Sequence, residues 1–252
     1  MPGSAAELSA YGPDEAQAAR DFHVVVRAPA LLDGPPAFYF ERMAAQILGQ
    51  FPEGPLELIG FSAGAAAALR LAPHLGARVQ RIDLVSPAAP LALGDFLGSM
   101  AGEPVFRAAL AGRAPFAALT WAQAQVVRLA PTRMAAALMA KARGADRELA
   151  ADPHFLRHLA LSLRASLIEQ RGAYICEIRH YVSDWRPALA EIEAPVAIWQ
   201  GSEDDWTPSS MAQALAEALP VRPDVTMLAG LSHFSALRCY LASRADRGGQ
   251  GA

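Results

Sequence analysis

The stretch LELIGFSAGAAAAL, residues 56–69, decides the fold of this chain. Its first part, Leu56 to Gly60, is a short apolar run that predicts a buried strand, and the alanine-rich residues from Ala65 to Leu71 predict a helix. The sequence GFSAG, residues 60–64, lies between them and matches the pattern G-x-S-x-G. A strand, a tight turn and a helix in this order expose the serine hydroxyl where the strand ends.

Ser62 is therefore the candidate nucleophile. A serine hydroxyl reacts poorly at neutral pH, so it must be held on a strained turn within reach of a base, and the flanking glycines give the backbone room to bend. The helix that starts at Ala63 directs free N–H groups toward an oxygen that gains negative charge, which makes Ala63 a candidate oxyanion-hole donor. The same pattern also fits an ordinary strand-to-helix turn in which the serine only caps the helix.

Further apolar runs extend the prediction beyond the first strand. A helix is expected near residues 40–48, and strands are expected at Phe22–Ala28, Arg81–Ser86, Ala194–Gln200 and Val225–Leu228. Helix-length segments separate these strands, which is typical of an α/β protein with a mostly parallel sheet and helices on both faces.

The middle of the chain has a different character. Ala, Leu, Arg and Met dominate residues 89–186, β-branched runs are scarce, and prolines divide the segment into helix-length pieces. We predict an all-helical insertion at 89–186 within a core formed by residues 1–88 and 187–246. The glycine-rich residues 247–252 are expected to form a disordered tail.

Two later loops contain the partners that a serine nucleophile needs. The loop GSEDDWTP, residues 201–208, follows a predicted strand and offers Glu203, Asp204 and Asp205 as candidate acids. The loop GLSHF, residues 230–234, follows the last predicted strand and contains His233. Acids at the carboxyl ends of parallel strands reach the same sheet edge as the serine. The chain order is serine, acid, histidine, which differs from the order in chymotrypsin and subtilisin.

These segments resemble the α/β-hydrolase family over roughly residues 2–242, with the helical insertion standing where that family carries its cap. The acid loop of the family commonly reads G-x-x-D-x-x-x-P, which matches Gly201, Asp204 and Pro208. The resemblance implies that Asp204 is the acid in preference to its two neighbours. The family's histidine follows a glycine by a few residues, as His233 does.

The resemblance implies a serine hydrolase in which His233 is the general base and Asp204 orients it. The expected reaction is then cleavage of an ester, a thioester, a lactone, or a carbon–carbon bond next to a ketone. It needs no metal or organic cofactor. The apolar composition of the insertion favours a small, largely apolar acyl substrate, and we expect Phe61, Trp206 and Phe234 to border its pocket. Two alternatives stay open: a catalytically impaired relative that acts as a binding protein, and an acyltransferase with the same triad.

The N-terminus departs from the family pattern. Relatives carry two or three strands before the one predicted at Phe22, and a His-Gly-x-Pro-Gly-like loop that supplies half of the oxyanion hole. The opening MPGSAAEL, residues 1–8, resembles that loop only from its variable position onward, so Met1 would take the oxyanion-hole position. We expect a shortened gene product or a misassigned start, and a sheet edge exposed beside Phe22 through which the chain could dimerise.

Composition limits the partners and the location. The chain has 252 residues, 53% of them hydrophobic, and a formal net charge of −3, which supplies no basic surface for nucleic acid or anionic lipid. Its two cysteines, Cys176 and Cys239, lack the spacing of a metal site. No apolar segment has the length of a membrane helix and no signal peptide is evident. We therefore expect a cytoplasmic protein.

Overall fold

The structure is a computed structural model that describes residues 8, 11–12, 22–25, 29–32 and 36–248. A parallel sheet forms its centre, with strands β1 (Leu56–Phe61), β2 (Val79–Val85), β3 (Val196–Gly201) and β4 (Asp224–Leu228). The strands lie side by side in sequence order and all neighbouring pairs are parallel. The predicted α/β class with a mostly parallel sheet is confirmed.

Helices connect the strands and cover the sheet. The α-helices are α1 (Tyr39–Gln50), α2 (Ala63–Leu75), α3 (Glu103–Leu110), α4 (Arg113–Leu129), α5 (Pro131–Met139), α6 (Asp146–Ala151), α7 (Pro153–Arg164), α8 (Arg171–Val182), α9 (Ser209–Ala218) and α10 (His233–Gly248). A π-helical turn, Ala165–Glu169, joins α7 to α8. Short 3-10 helices occur at Pro29–Leu32, Pro36–Phe38, Gly76–Arg78, Leu91–Leu93, Leu97–Ser99 and Arg186–Glu191.

The strand pattern explains why helices lie on both faces. Successive side chains of a strand point to opposite faces. Leu84 and Ile198 pack with the apolar faces of α1 and α2 in one buried cluster. The next residues along their strands, Val85 and Trp199, pack with α10 in a second cluster. Because both faces are buried, apolar side chains predominate in the central strands β2 and β3, without a regular polar alternation.

The strand predicted at Phe22–Ala28 is not found among the described residues. Residues 22–25 are irregular there, and residues 26–28 lie outside the described part of the chain. A strand exists only with a hydrogen-bonding neighbour. Residues 22–25 and β1 line a common cavity of about 470 Å³, and among the described residues β1 pairs with β2. The composition of residues 22–25 is strand-like, but no strand of the described part of the chain pairs with them. The predicted dimerisation through an exposed sheet edge beside Phe22 stays a prediction.

Residues 86–195 contain helices and loops and no strand. Helices α3 to α8 all fall inside the range 89–186 that we predicted as an insertion, and we keep its division from the core as a proposal. Helix α10 continues to Gly248, two residues into the predicted tail, and residues 249–252 lie outside the described part. None of the described helices combines the length and the apolarity that crossing a bilayer requires.

Candidate active site

Ser62 occupies a strained turn between β1 and α2. Its backbone angles are φ 56° and ψ −128°, a conformation that costs a side-chain-bearing residue on the order of 1–3 kcal/mol. The turn is anchored because the N–H of Ser62 donates to the carbonyl of Val85 at 3.0 Å. A β-carbon at Gly60 would lie 2.6 Å from Cα of Ala65, so only glycine permits the strand to approach the helix this closely.

Asp204 and His233 form a buried pair. Nδ1 of His233 lies 2.9 Å from Oδ2 of Asp204. The other carboxylate oxygen, Oδ1, accepts hydrogen bonds from the backbone N–H groups of Trp206 and Thr207, both at 2.9 Å. Burial opposes ionisation of Asp204, but attraction to His233, the hydrogen bond from its ring and the N–H of Thr207 together hold the pKa of Asp204 below its ordinary value. The acid is therefore kept as an oriented carboxylate.

The other candidate acids lie elsewhere. Glu203 is exposed to solvent. Asp205 pairs with Arg143, with 3.2 Å between Oδ2 and Nε. Of the three acids at 203–205, Asp204 is the one that the structure brings to His233.

Aromatic rings surround the imidazole of His233, which is 2% exposed. The ring centroid lies 4.6 Å from that of Phe61, 5.1 Å from that of Phe234 and 5.8 Å from that of Trp206, which is stacked on it. The contact of Nδ1 with Asp204 leaves Nε2 as the ring atom that can exchange a proton with a reacting group. The predicted pocket residues thus enclose the candidate base.

The loops that carry the acid and the histidine are bound to each other. The N–H of Glu203 donates to the carbonyl of Leu231 at 2.9 Å, and the N–H of Ser202 donates to the carbonyl of Leu228 at 3.1 Å. A β-carbon at Gly201 would lie 2.6 Å from the carbonyl oxygen of Ser232. The glycine that opens the acid loop is therefore required for this close approach.

One cavity of about 270 Å³ connects these groups. It is lined by the candidate nucleophile, the candidate base, Ala63 and all three predicted pocket residues: Phe61, Ser62, Ala63, Trp206, His233 and Phe234. The N–H of Ala63 belongs to the first turn of α2, where backbone donors have no partner within the helix. Met1, the other predicted oxyanion-hole residue, lies outside the described residues.

Most of the remaining lining is apolar and comes from the helices that follow β2. These side chains include Met100, Val105, Phe106, Met134, Leu138, Leu159, Leu163, Leu167, Ile178 and Tyr181. Within the described part of the chain, no three His, Cys, Asp or Glu side chains are grouped as a metal would require.

Sequence reasoning missed two polar residues that hold the site in place. Asp146 in α6 is 1% exposed, and its carboxylate accepts hydrogen bonds from the N–H groups of Phe234 at 3.0 Å and Ser235 at 2.7 Å. Thr207 places its hydroxyl 3.0 Å from Oδ2 of Asp204 and 3.0 Å from the carbonyl of Ser86. Asp146 carries no local signal, whereas Thr207 precedes the proline of the acid-loop motif and could have been considered.

Comparisons with known proteins concern the fold and the family of the chain. Solved structures that resemble the chain include a bromoperoxidase from Bacillus anthracis (TM-score 0.56, 18% identity, 83% of this chain and 71% of the other). A hydrolase from Oleispira antarctica has a TM-score of 0.54 and 17% identity, over 88% of this chain and 77% of the other. A hydrolase from Pseudomonas aeruginosa has a TM-score of 0.54 and 20% identity, over 87% of this chain and 74% of the other. At these identities the likeness concerns the fold alone. No curated protein matches the chain in sequence.

A protein family described as serine aminopeptidase, S33, matches residues 40–234. That range includes the whole sheet and the segments that carry Ser62, Asp204 and His233. The chain belongs to this family of α/β-hydrolases.

Proposed function

We propose that the chain is a serine hydrolase that cleaves an ester, thioester, lactone or similar acyl bond of a small, largely apolar substrate. The observation that carries this proposal is the combination in one cavity of Ser62 on a strained turn and His233 held by Asp204. Covalent hydrolysis by a serine requires a nucleophile, a base and an acid that orients the base, and these three residues can supply them. A carboxylic ester hydrolase is the reaction class that we favour.

In the proposed mechanism, Oγ of Ser62 attacks the substrate carbonyl while Nε2 of His233 takes its proton. The resulting imidazolium is stabilised by the carboxylate of Asp204, whose pKa is already lowered by this partner. The N–H of Ala63 stabilises the negative oxygen of the tetrahedral intermediate. His233 then protonates the leaving group, which gives an acyl-enzyme on Ser62. Water then attacks the acyl-enzyme while His233 takes its proton, and His233 returns that proton to Oγ of Ser62 as the acid product leaves.

The substrate class follows from the lining of the cavity. Its walls are mostly aliphatic and aromatic side chains, and its volume of about 270 Å³ suits a medium-sized acyl or ring group. Apolar burial contributes roughly 0.8 kcal/mol per methylene, so kcat/KM is expected to rise with acyl length until the cavity is full. The predicted cytoplasmic location belongs to this proposal.

The test is turnover of p-nitrophenyl esters of increasing acyl length by wild type, Ser62→Ala and Ser166→Ala. Ser166 also lines the cavity and serves as the matched control. We expect turnover by wild type and Ser166→Ala and none above background by Ser62→Ala. Equal activity in all three proteins, or no activity in folded wild type, would contradict the proposal. Product analysis with an added alcohol or thiol distinguishes a hydrolase from an acyltransferase.

A further inference from the structure

Arg70 lies in the same cavity as the candidate nucleophile. On α2 the residues Ala63, Ala66, Ala67 and Arg70 all line this cavity, as their helical spacing of three to four residues allows. Arg70 follows Ser62 by eight positions, which corresponds to about 12 Å along a helix axis. The cavity therefore has a reacting end at Ser62 and a distal end at Arg70.

The guanidinium of Arg70 is half-buried and has few partners. Its Nη1 donates to the backbone carbonyl of His180 at 3.0 Å, and its Cζ lies 4.1 Å from the ring centroid of Phe40. Among the described residues, no carboxylate oxygen forms an ion pair with it. Desolvation lowers the pKa of Arg70 to about 10, so it remains charged at neutral pH. A guanidinium has five N–H donors, so Arg70 can still donate hydrogen bonds to a ligand that enters the cavity.

The surroundings of Arg70 favour an anion. His180, which lines the same cavity, has a buried Nε2 without a hydrogen-bond partner. Burial, and then the charges of Arg70, Arg179 and Arg42, lower the pKa of His180. Glu177 is the only acid among the described residues that line the cavity, and it accepts a hydrogen bond from the hydroxyl of Tyr39 at 2.9 Å. Three guanidinium groups therefore lie near His180, and one carboxylate lines the cavity with it.

We propose that Arg70 binds a carboxylate at the far end of the substrate, and that the hydrolase accepts acyl chains that carry a terminal carboxylate. This inference rests on the proposed function, because it places the ester carbonyl at Ser62. The apolar walls contact the chain, Nη2 and Nε of Arg70 donate to the carboxylate, and His180 lies beside them. The separation of about 12 Å along the helix sets the preferred chain length.

The experiment compares two matched ester series. One consists of p-nitrophenyl esters of hexanoic, octanoic, decanoic and dodecanoic acid, and the other of the mono-p-nitrophenyl esters of the corresponding dicarboxylic acids. The quantity measured is the ratio of kcat/KM for the dicarboxylic ester to that for the neutral ester at each length. It is determined for wild type, Arg70→Met, Arg70→Lys and Arg128→Met. Arg128 is an exposed residue of α4, and its loss changes the net charge equally.

We expect the ratio in wild type to peak at one chain length and to fall about 10- to 100-fold at that length in Arg70→Met. Arg70→Lys should retain part of the ratio, and Arg128→Met all of it. The circular dichroism spectrum of Arg70→Met should match that of wild type, which shows that the variant is folded. A ratio that Arg70→Met leaves unchanged at every length, or an equal loss for both ester series, would overturn the inference.

Calorimetric titration with the free dicarboxylic acids separates this inference from the proposed function. If no ester is cleaved but wild type binds a dicarboxylate and Arg70→Met does not, the anion site stands and the hydrolase proposal fails. If neutral esters are cleaved through Ser62 and the dicarboxylate binds equally to both proteins, the hydrolase proposal stands and the anion site fails.

Discussion

Asp146 caps the helix that begins with the candidate base, His233. Its two carboxylate oxygens accept hydrogen bonds from the N–H groups of Phe234 and Ser235, the first donors after His233. A carboxylate at a helix N-terminus satisfies free backbone donors and interacts favourably with the helix dipole. A side chain from the helical segment between β2 and β3 thus fixes the element that positions the imidazole.

We expect Asp146→Ala to weaken both the fold and the reaction. Loss of two buried hydrogen bonds should lower the free energy of unfolding by about 1–3 kcal/mol, and the displaced His233 should lower kcat more than it raises KM. Urea unfolding and steady-state kinetics measure the two effects. Asp152→Ala is the matched control, because Asp152 caps α7 through the N–H of His154 at 2.8 Å. It should lose stability without a selective loss of kcat, and the same kinetic loss in both variants would refute a positioning role for Asp146.

Asp204→Asn should lower kcat by roughly 10⁴-fold, because an amide cannot hold His233 in the required tautomer or stabilise its positive form. Asp205→Asn is the natural control, since Asp205 belongs to the same loop but pairs with Arg143. The kcat of Asp205→Asn is expected to stay within a few-fold of the wild-type value. The kinetics of both variants on one ester decide the matter, and a larger effect at Asp205 would reassign the acid.

The tight approach of β1 to α2 predicts that Gly60→Ala is damaging. The new β-carbon would meet the backbone of Ala65 and Gly64 at 2.6 to 3.0 Å, and overpacking of this kind costs about 1–3 kcal/mol. Gly49→Ala in α1 meets nothing within 4 Å and should be neutral or stabilising. Thermal unfolding of the two variants provides the comparison, and equal melting temperatures would show that the turn relaxes without cost.

His180 predicts a pH dependence of stability. Burial, and to a lesser extent the charges of Arg70, Arg179 and Arg42, lower the pKa of His180 to about 4. The unfolded chain therefore takes up a proton near pH 6.5, which the folded chain resists until about pH 4. The contribution of His180 to the free energy of unfolding is therefore fully present above pH 6.5 and is lost as the pH falls toward 4.

We expect the free energy of unfolding of His180→Gln to fall by about 1–2 kcal/mol less than that of wild type between pH 7 and pH 4.5. This is less than the full pKa shift implies, because the ring is only partly buried. Urea unfolding at pH 7 and pH 4.5 measures it, with His74→Gln at an exposed position as the control. A pH profile that is the same in wild type and His180→Gln would contradict the prediction.

The parts that could be predicted from the sequence are those with a local cause. Each of β1 to β4 is a short segment in which apolar residues predominate, and the three motifs with Ser62, Asp204 and His233 each follow a strand. Because parallel strands bring their carboxyl ends to one edge, local patterns were sufficient to bring distant residues together.

The parts that could not be predicted depend on tertiary contacts. Asp146 is separated from Phe234 by 88 positions, and nothing in its own helix indicates that its carboxylate points inward. Arg70 stands in an alanine-rich helix, where an arginine ordinarily faces solvent. Residues 22–25 have a strand-like composition, but a strand also requires a pairing partner, which composition does not reveal.

Covalent labelling of the purified chain with a fluorophosphonate, followed by peptide mass spectrometry, tests the central claim most directly. The account predicts one modified peptide carrying the label on Ser62, no label in Ser62→Ala, and strongly slowed labelling in His233→Ala and Asp204→Asn. Unchanged labelling of Ser166→Ala would show that other serines of the cavity are not required. Folded wild-type protein that takes no label, or a label on another serine, would contradict the claim that Ser62, His233 and Asp204 form the catalytic site.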